Sequence, residues 1–181
     1  MKIRKWYYEN TITQIIIICL YILIVPYLYS ATYTVTNTLD IGPGSLIDAI
    51  TATNISTNVA DTINFFIPST GPYIIRPLSQ LPQLTDPAGV FINGLTQPGA
   101  LTGSNPPATA NLLIELRGTN AGASHGLWIM SPNNKIQGLV IDSFQQDGIR
   151  IQGTPSGTSN NIIYCNFVGV DRLGNLIMRN G

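Results

Sequence analysis

The sequence predicts an all-β fold in which short parallel strands stack as a solenoid, and two observations lead to this prediction. The stretch from Gly126 to Gly174 reads as one unit written twice, because Gly126-Leu-Trp-Ile recurs further along as Gly148-Ile-Arg-Ile. In the same way, Asn133-Asn134 recurs as Asn160-Asn161. Repeats of short alternating strands with glycine and asparagine at the corners are typical of solenoids.

Strands are predicted wherever β-branched and aromatic residues alternate with polar ones and a turn residue follows. The segment 96–110 is rich in glycine and proline and is interpreted as a loop, either a tolerated surface insertion or one that carries binding. Before the repeat, the predicted strands are 33–38, 61–67, 73–75, 90–92 and 112–116.

The region of about 32–60 is predicted to cap the first layer of the solenoid. Ser45 and Asp48 have the spacing of a capping box, and the residues from Leu46 to Ala52 place apolar side chains on one face of a short amphipathic helix. An open end of stacked strands exposes apolar interior and unpaired backbone groups, which a helix would cover.

Residues 1–30 are interpreted as a signal peptide. Lys2, Arg4 and Lys5 precede an uncharged apolar run over 15–25, which has the length of a signal-peptide core and is short for a membrane span. The usual small residues are missing before residue 31, so an uncleaved N-terminal anchor is the alternative. In both cases we expect the single domain of residues 31–181 to be exported, as a secreted, periplasmic or outer-surface protein that meets the membrane only through residues 1–30.

Composition limits the class of partner. Only 10% of the 181 residues are charged, against a usual value of about 25%. Three of the nine basic residues lie in the leader, so the remaining domain is slightly acidic. Nucleic-acid-binding domains usually carry a basic surface, and we therefore expect no nucleic-acid partner.

The chain resembles the N-terminal part of bacterial right-handed parallel β-helix repeat proteins, including those that carry a CSLREA-type leader. The resemblance covers nearly all of residues 32–181 and rests on TVTNTLDIGPGSLIDAI, DTINFFIP, GLVIDSFQQDGIRIQG and NNIIYCNFVGVDRLGN. It implies a right-handed parallel β-helix in an exported or surface protein, with no catalytic residues to carry over. Such proteins usually continue with another layer where this chain stops at Gly181, so we expect an incomplete C-terminus and self-association through its open edge.

Trp128 and Arg150 are the candidate binding residues. If Leu127 and Ile129 point inward, the period of two places Trp128 and Arg150 on the outer face at equivalent positions, about 4.8 Å apart. A guanidinium can then lie over an indole. The pair is interpreted either as decoration of the fold or as a platform for a ligand, with a glycan or a host or cell-surface protein as the expected partner.

No catalytic, metal or cofactor site is predicted. Ser124-His125-Gly126 and Arg150-Ile151-Gln152 faintly resemble elements of polygalacturonase-type hydrolases, but that chemistry needs paired carboxylates, and the acidic residues stand singly in the sequence. Cys165 matches Gly138 in the repeat and is therefore interpreted as a small buried apolar residue. We therefore expect a non-enzymatic structural, adhesive or binding module. The alternatives are a carbohydrate-active enzyme whose catalytic residues are missing or unrecognised, and a truncated gene remnant.

Overall fold

The computed structural model describes residues 13–15, 29–56, 59–103, 109–153 and 157–181. The predicted leader lies almost entirely outside these residues. Residues 13–15 are helical, α1 spans Leu46–Ile55, and short 3₁₀ turns occupy Gly94–Thr96 and Gly118–Asn120. The strands in chain order are β1 (Thr32–Val35), β2 (Asp61–Phe65), β3 (Tyr73–Ile75), β4 (Val90–Asn93), β5 (Ile114–Arg117), β6 (Leu127–Ile129), β7 (Lys135–Gln137), β8 (Leu139–Asp142), β9 (Ile149–Ile151), β10 (Ile162–Tyr164) and β11 (Phe167–Val168).

These strands form three sheets, and every pairing between the named strands is parallel. The first sheet has the order β1-β2-β4-β7-β10, the second β11-β8-β5-β3, and the third β6-β9. Leu84 adds a parallel bridge to Ile129 on the other side of β6. The last strand of each sheet in chain order, β10, β11 or β9, is therefore also an edge strand of its sheet.

The helix α1 begins where the sequence predicts it. Ser45 is the N-cap, and its hydroxyl accepts a hydrogen bond from the Asp48 N–H at 3.2 Å. The reciprocal half of the capping box is replaced, because the Ser45 N–H donates to the Gly42 carbonyl at 3.0 Å. The helix continues to Ile55, past the predicted end at Ala52. Its buried residues, spaced for one face of a helix, are Leu46, Ala49, Ile50 and Thr53.

The prediction of an all-β, right-handed parallel β-helix is wrong. The helix α1 lies between β1 and β2, which are parallel neighbours in one sheet, so the domain begins with a β-α-β unit. A tight turn cannot join two parallel neighbours, and a crossover helix is the usual connection in α/β proteins. With short parallel strands in three sheets, the described residues are closer to the α/β class, and no solenoid is detected in them. The region of about 32–60 is thus a crossover unit rather than a cap.

One aliphatic core joins the three sheets. In the first sheet Ile63, Ile92 and Ile136 are register partners on successive strands, and all three are fully buried. In the second sheet Ile75, Leu116 and Ile141 are aligned in the same way. Each such side chain contributes about 1.5–3 kcal/mol when it is removed from water. The columns of aliphatic residues therefore fix which residue of each strand faces inward.

The register inferred from the repeat is confirmed. Leu127, Trp128 and Ile129 pair with Ile149, Arg150 and Ile151. The corner asparagines also match, because Asn133 and Asn160 both have left-handed backbone, with φ of 63° and 60°. Asparagine tolerates this conformation better than most residues.

Asparagine side chains connect the layers at the corners. The Val90 N–H donates to Asn134 Oδ1 at 3.0 Å, and the Asn134 N–H donates to Asn161 Oδ1 at 2.8 Å. These three residues are register positions at the starts of successive strands. Asn134 is fully buried, and its Nδ2 also donates to the Ser131 carbonyl at 2.9 Å. The buried Val90 N–H at the start of β4 therefore finds its acceptor in a side chain at the start of the neighbouring strand, β7.

Replacing Asn134 with alanine should lower the free energy of unfolding by about 2–3 kcal/mol, because the buried Val90 N–H would lose its acceptor. Urea denaturation followed by circular dichroism measures the loss. The matched control is Asn160→Gly, at an exposed corner where glycine accepts the positive φ; we expect it to stay within about 0.5 kcal/mol of the wild type. Equal losses in the two variants would contradict this account.

Candidate functional site

Trp128 and Arg150 meet on the outer face of the third sheet, as the sequence predicts. Trp128 lies on β6 and Arg150 on β9, and the guanidinium carbon lies 5.4 Å from the centroid of the indole. Both side chains are half-buried. The Trp128 Nε1 is buried and has no hydrogen-bond partner among the described residues. An unpaired buried donor of this kind costs the fold about 1–3 kcal/mol.

The Arg150 guanidinium is held in place by two polar neighbours. Its Nε donates to Gln152 Oε1 at 2.7 Å, and Nη1 lies 3.2 Å from Asp147 Oδ2. Asp147 and Gln152 are themselves exposed. Arg150 is thus presented over the indole by groups that also offer acceptors to solvent.

His125 completes the group, and sequence reasoning missed it. The sequence singled it out only as part of Ser124-His125-Gly126, but it is buried and packs edge-on against Trp128, with ring centroids 5.1 Å apart. The amide of Gln80 fixes its backbone: the His125 N–H donates to Gln80 Oε1 at 2.8 Å, and Gln80 Nε2 donates to the His125 carbonyl at 3.2 Å. We call His125, Trp128, Asp147, Arg150 and Gln152 the Trp128 cluster.

The Nδ1 atom of His125 has two competing contacts with Asp147. It accepts a hydrogen bond from the Asp147 backbone N–H at 3.2 Å, and it lies 3.2 Å from Asp147 Oδ2. A neutral ring with its proton on Nε2 satisfies the first contact, whereas a ring with a proton on Nδ1 satisfies the second. Asp147 is therefore a neighbour of the histidine in either protonation state.

A pair of carboxyl groups lies on the outer face of the second sheet, which corrects the interpretation that the acidic residues stand singly. Glu115 on β5 and Asp142 on β8 are both buried, and both contact Arg117. Arg117 Nε lies 3.3 Å from Asp142 Oδ1, and Arg117 Nη2 contacts Glu115 Oε1. These are ion pairs without a well-aligned hydrogen bond at Arg117 Nε or Glu115 Oε1. The parallel register of β5 and β8 would have revealed the group had the repeat been extended one unit upstream.

Burial raises the pKa of Glu115 despite the neighbouring guanidinium. Desolvation is the largest cause, Arg117 opposes it, and the charge of Asp142 with its side-chain hydrogen bond adds to it. A second buried acidic neighbourhood shows the same effect: burial raises the pKa of Asp86, and the charge of Asp61 contributes. Both groups are closed off from solvent.

Cys165 is exposed, so the prediction that it is a buried apolar residue is wrong. Its register position does match Gly138, as expected: both have positive φ, of 53° and 76°, and the Gly138 N–H donates to the Cys165 carbonyl at 3.1 Å. The two positions differ in burial because β7 and β8 each have a further strand beside them, β10 and β11. The strands β10 and β11 are themselves edge strands.

Within the described ranges, no group of three or more histidine, cysteine or acidic side chains is placed to hold a metal ion. In the same residues, no helix has both the length and the apolar character needed to cross a membrane. Comparisons with protein-family models, with curated proteins and with solved structures found no match for this chain. The resemblance to β-helix repeat proteins thus stays a prediction.

Replacing Glu115 with glutamine should flatten the dependence of stability on pH. Because the folded state raises the pKa of Glu115, its stabilising contribution is complete below the ordinary glutamate range and is lost as pH rises through the higher folded-state value. We therefore expect the wild-type free energy of unfolding to decrease over that rise, and Glu115→Gln to decrease less. Urea denaturation between about pH 4 and pH 8 spans this window.

Asp171→Asn is the control of opposite sign. Backbone N–H groups, that of Leu176 first, lower the pKa of Asp171, so its contribution is present above the ordinary aspartate range and is lost as pH falls through the lower folded-state value. This variant should flatten only the acidic limb. If Glu115→Gln keeps the wild-type slope, the role of burial at Glu115 is disproved.

Proposed function

We propose that this chain is an exported, non-enzymatic binding module whose ligand lies on the Trp128 cluster. The observation that carries the proposal is the Arg150 guanidinium over the indole, 5.4 Å from its centroid. Tryptophan and arginine are the residues most enriched where a few contacts dominate binding. An aromatic ring with a polar tip also has an apolar body and a directed donor in one side chain.

A glycan is the ligand class that these groups favour. Its hydroxyls would donate to the exposed oxygens of Asp147 and Gln152, while its apolar faces would pack on the half-buried ring. The position of the Trp128 cluster on an outer sheet face suits an extended ligand. A host or cell-surface protein would use the same tryptophan and arginine as anchors, and the binding test includes that partner as a separate arm.

A carbohydrate-active enzyme is the second candidate, and the carboxyl pair Glu115 and Asp142 is the observation that favours it. Glycoside hydrolysis uses two acidic groups, one of them with a raised pKa, and the pKa of Glu115 is raised by burial. Both side chains, however, are at most 4% exposed and are engaged by Arg117. A substrate would need open access to both groups, so the binding module is the stronger proposal.

Replacing Trp128 with alanine should weaken glycan binding at least about tenfold, and Arg150→Ala should do the same, because either change removes half of the stacked pair. A glycan array identifies the ligand, and titration calorimetry measures the affinity of each variant. Phe66→Ala and Arg76→Ala are matched controls: both residues are exposed and lie outside the Trp128 cluster. We expect these controls to bind like the wild type.

A host-protein array and a polysaccharide-degradation assay run beside the glycan array. Protein binding lost in Trp128→Ala would change the ligand class and keep the site. Degradation lost in Glu115→Gln or Asp142→Asn, in a folded variant, would replace the binding module with the enzyme.

The exported location is tested with the segment 1–30 alone. We expect its fusion to alkaline phosphatase to be active in bacterial cells, because that enzyme forms its disulfides only outside the cytoplasm. Replacing Leu20 and Leu23 with aspartate should abolish activity, since two charges interrupt the apolar run. Asn10→Asp, before that run, is the control and should stay active. An inactive wild-type fusion would contradict export.

A further inference from the structure

The same end of all three sheets is open in the described residues. The inward-facing side chain on the last strand of each sheet is exposed, whereas its register partner on the preceding strand is fully buried. The pairs are Ile163 (38%) over Ile136 (0%), Ile151 (45%) over Ile129 (0%), and Val168 (45%) over Ile141 (0%). We call the surface formed by Ile149, Ile151, Ile163 and Val168 the end face.

The end face is concave and apolar at its centre. It borders a cavity of about 530 Å³, whose rim includes Asp147, Arg179 and Asn180. The chain from residue 177 onward lies along one side of this rim, where the Met178 N–H donates to the Gly169 carbonyl at 2.9 Å and the Gly181 N–H donates to the Phe144 carbonyl at 3.1 Å. The side next to β9 and β10 has no such cover among the described residues.

The hydrogen bonds at the corners indicate what kind of segment fits there. At three corners, a backbone N–H donates to the side-chain oxygen of the asparagine in register with it on the neighbouring segment. The bonds are Val90 N–H to Asn134 Oδ1, Asn134 N–H to Asn161 Oδ1, and Leu139 N–H to Asn166 Oδ1, at 3.0, 2.8 and 3.0 Å.

Asn161 and Asn166 accept such a hydrogen bond through their side chains, but their own backbone N–H groups lack the equivalent bond. The backbone N–H groups of Asn161 and Asn166 donate to no acceptor among the described residues. Exposed edge groups of this kind, beside a row of apolar side chains, form a template for an added strand. A strand that satisfies both N–H groups in the same way must carry two side-chain oxygens at the sequence spacing of Asn161 and Asn166.

We propose that the end face binds a polypeptide strand with the pattern of residues 159–168, added in parallel to β10, with asparagines over Asn161 and Asn166 and an aliphatic residue over Ile163. Backbone hydrogen bonds to β10 supply affinity, and the asparagine oxygens and the inward aliphatic side chain select the sequence. The segment 159–168 of this chain has the required pattern, because it makes these contacts to Asn134, Leu139 and Ile136. It therefore serves as the probe.

The test titrates the full-length chain into a fluorescent peptide with the sequence of residues 159–168, serine replacing the cysteine. We expect saturable one-to-one binding by anisotropy. Peptides with alanine at the position of Asn161 or of Asn166 should bind about threefold to tenfold more weakly, since each loses one hydrogen bond. In the protein, Ile163→Lys should abolish binding.

Ile162→Lys is the matched control, because Ile162 lies on the same strand, is similarly exposed and pairs with Lys135 on the opposite face. It should bind the peptide like the wild type. Circular dichroism checks that both variants fold, and the alanine peptides test the proposal on the unaltered protein.

Light scattering of the same samples distinguishes the other occupant, a second copy of the chain. Self-association that the peptide reverses supports strand addition at the end face. The proposal is overturned by a stable dimer that the peptide does not dissociate, by equal loss in Ile162→Lys and Ile163→Lys, or by alanine peptides that bind like the parent. None of these outcomes depends on the Trp128 cluster, which faces the side of the third sheet.

Discussion

Asn134 connects three neighbouring strands of the first sheet through hydrogen bonds, and the packing of the domain depends on hydrogen bonds of this kind. Its oxygen accepts from the Val90 N–H, and its own backbone N–H donates to the oxygen of Asn161. Each corner of a parallel sheet turns the chain away from its neighbour, so backbone groups there lose their ladder partners. A buried group left unpaired would cost about 1–3 kcal/mol. Asparagine solves this problem because one amide both accepts and donates, and because Asn133 and Asn160 beside it tolerate positive φ. Because these hydrogen bonds fix the corners, the inward-facing aliphatic residues of neighbouring strands are aligned in register.

The outer faces follow a different rule, because side chains there need not be apolar. On the second sheet, Glu115 and Asp142 are buried with Arg117 between them. Burying a charge is unfavourable unless it is paired, and at Glu115 burial raises the pKa more than the neighbouring Arg117 lowers it. On the third sheet, Asp147 is exposed, and Arg150 and the aromatic ring of Trp128 are half-buried. The buried charges of the second sheet affect the stability of the fold, whereas the charges of the third sheet can contact a ligand.

The sequence predicted the local structure better than the class of fold. The repeat was enough to align Trp128 with Arg150, because identical spacing on parallel strands leaves one register. The capping residue Ser45 was enough to place α1. What the repeat did not reveal was that α1 connects two parallel neighbours, since that depends on which strand β2 pairs with and not on local pattern. For the same reason the meeting of Glu115 with Asp142 and the burial of His125 were missed: both depend on contacts between segments far apart in the chain. Cys165 was assigned to the core because its position matched a buried glycine, but burial also requires a further layer above it.

The two surfaces of this domain are linked through one strand. Arg150, half of the stacked pair, lies on β9, which is paired on one side only, with β6. Ile149 and Ile151, its neighbours on the same strand, belong to the end face. Successive residues of a strand point to opposite faces, so whatever orders the backbone of β9 from the end also orders the guanidinium over Trp128. A polypeptide that covers the end face would contact Ile151 and restrict the strand that carries Arg150.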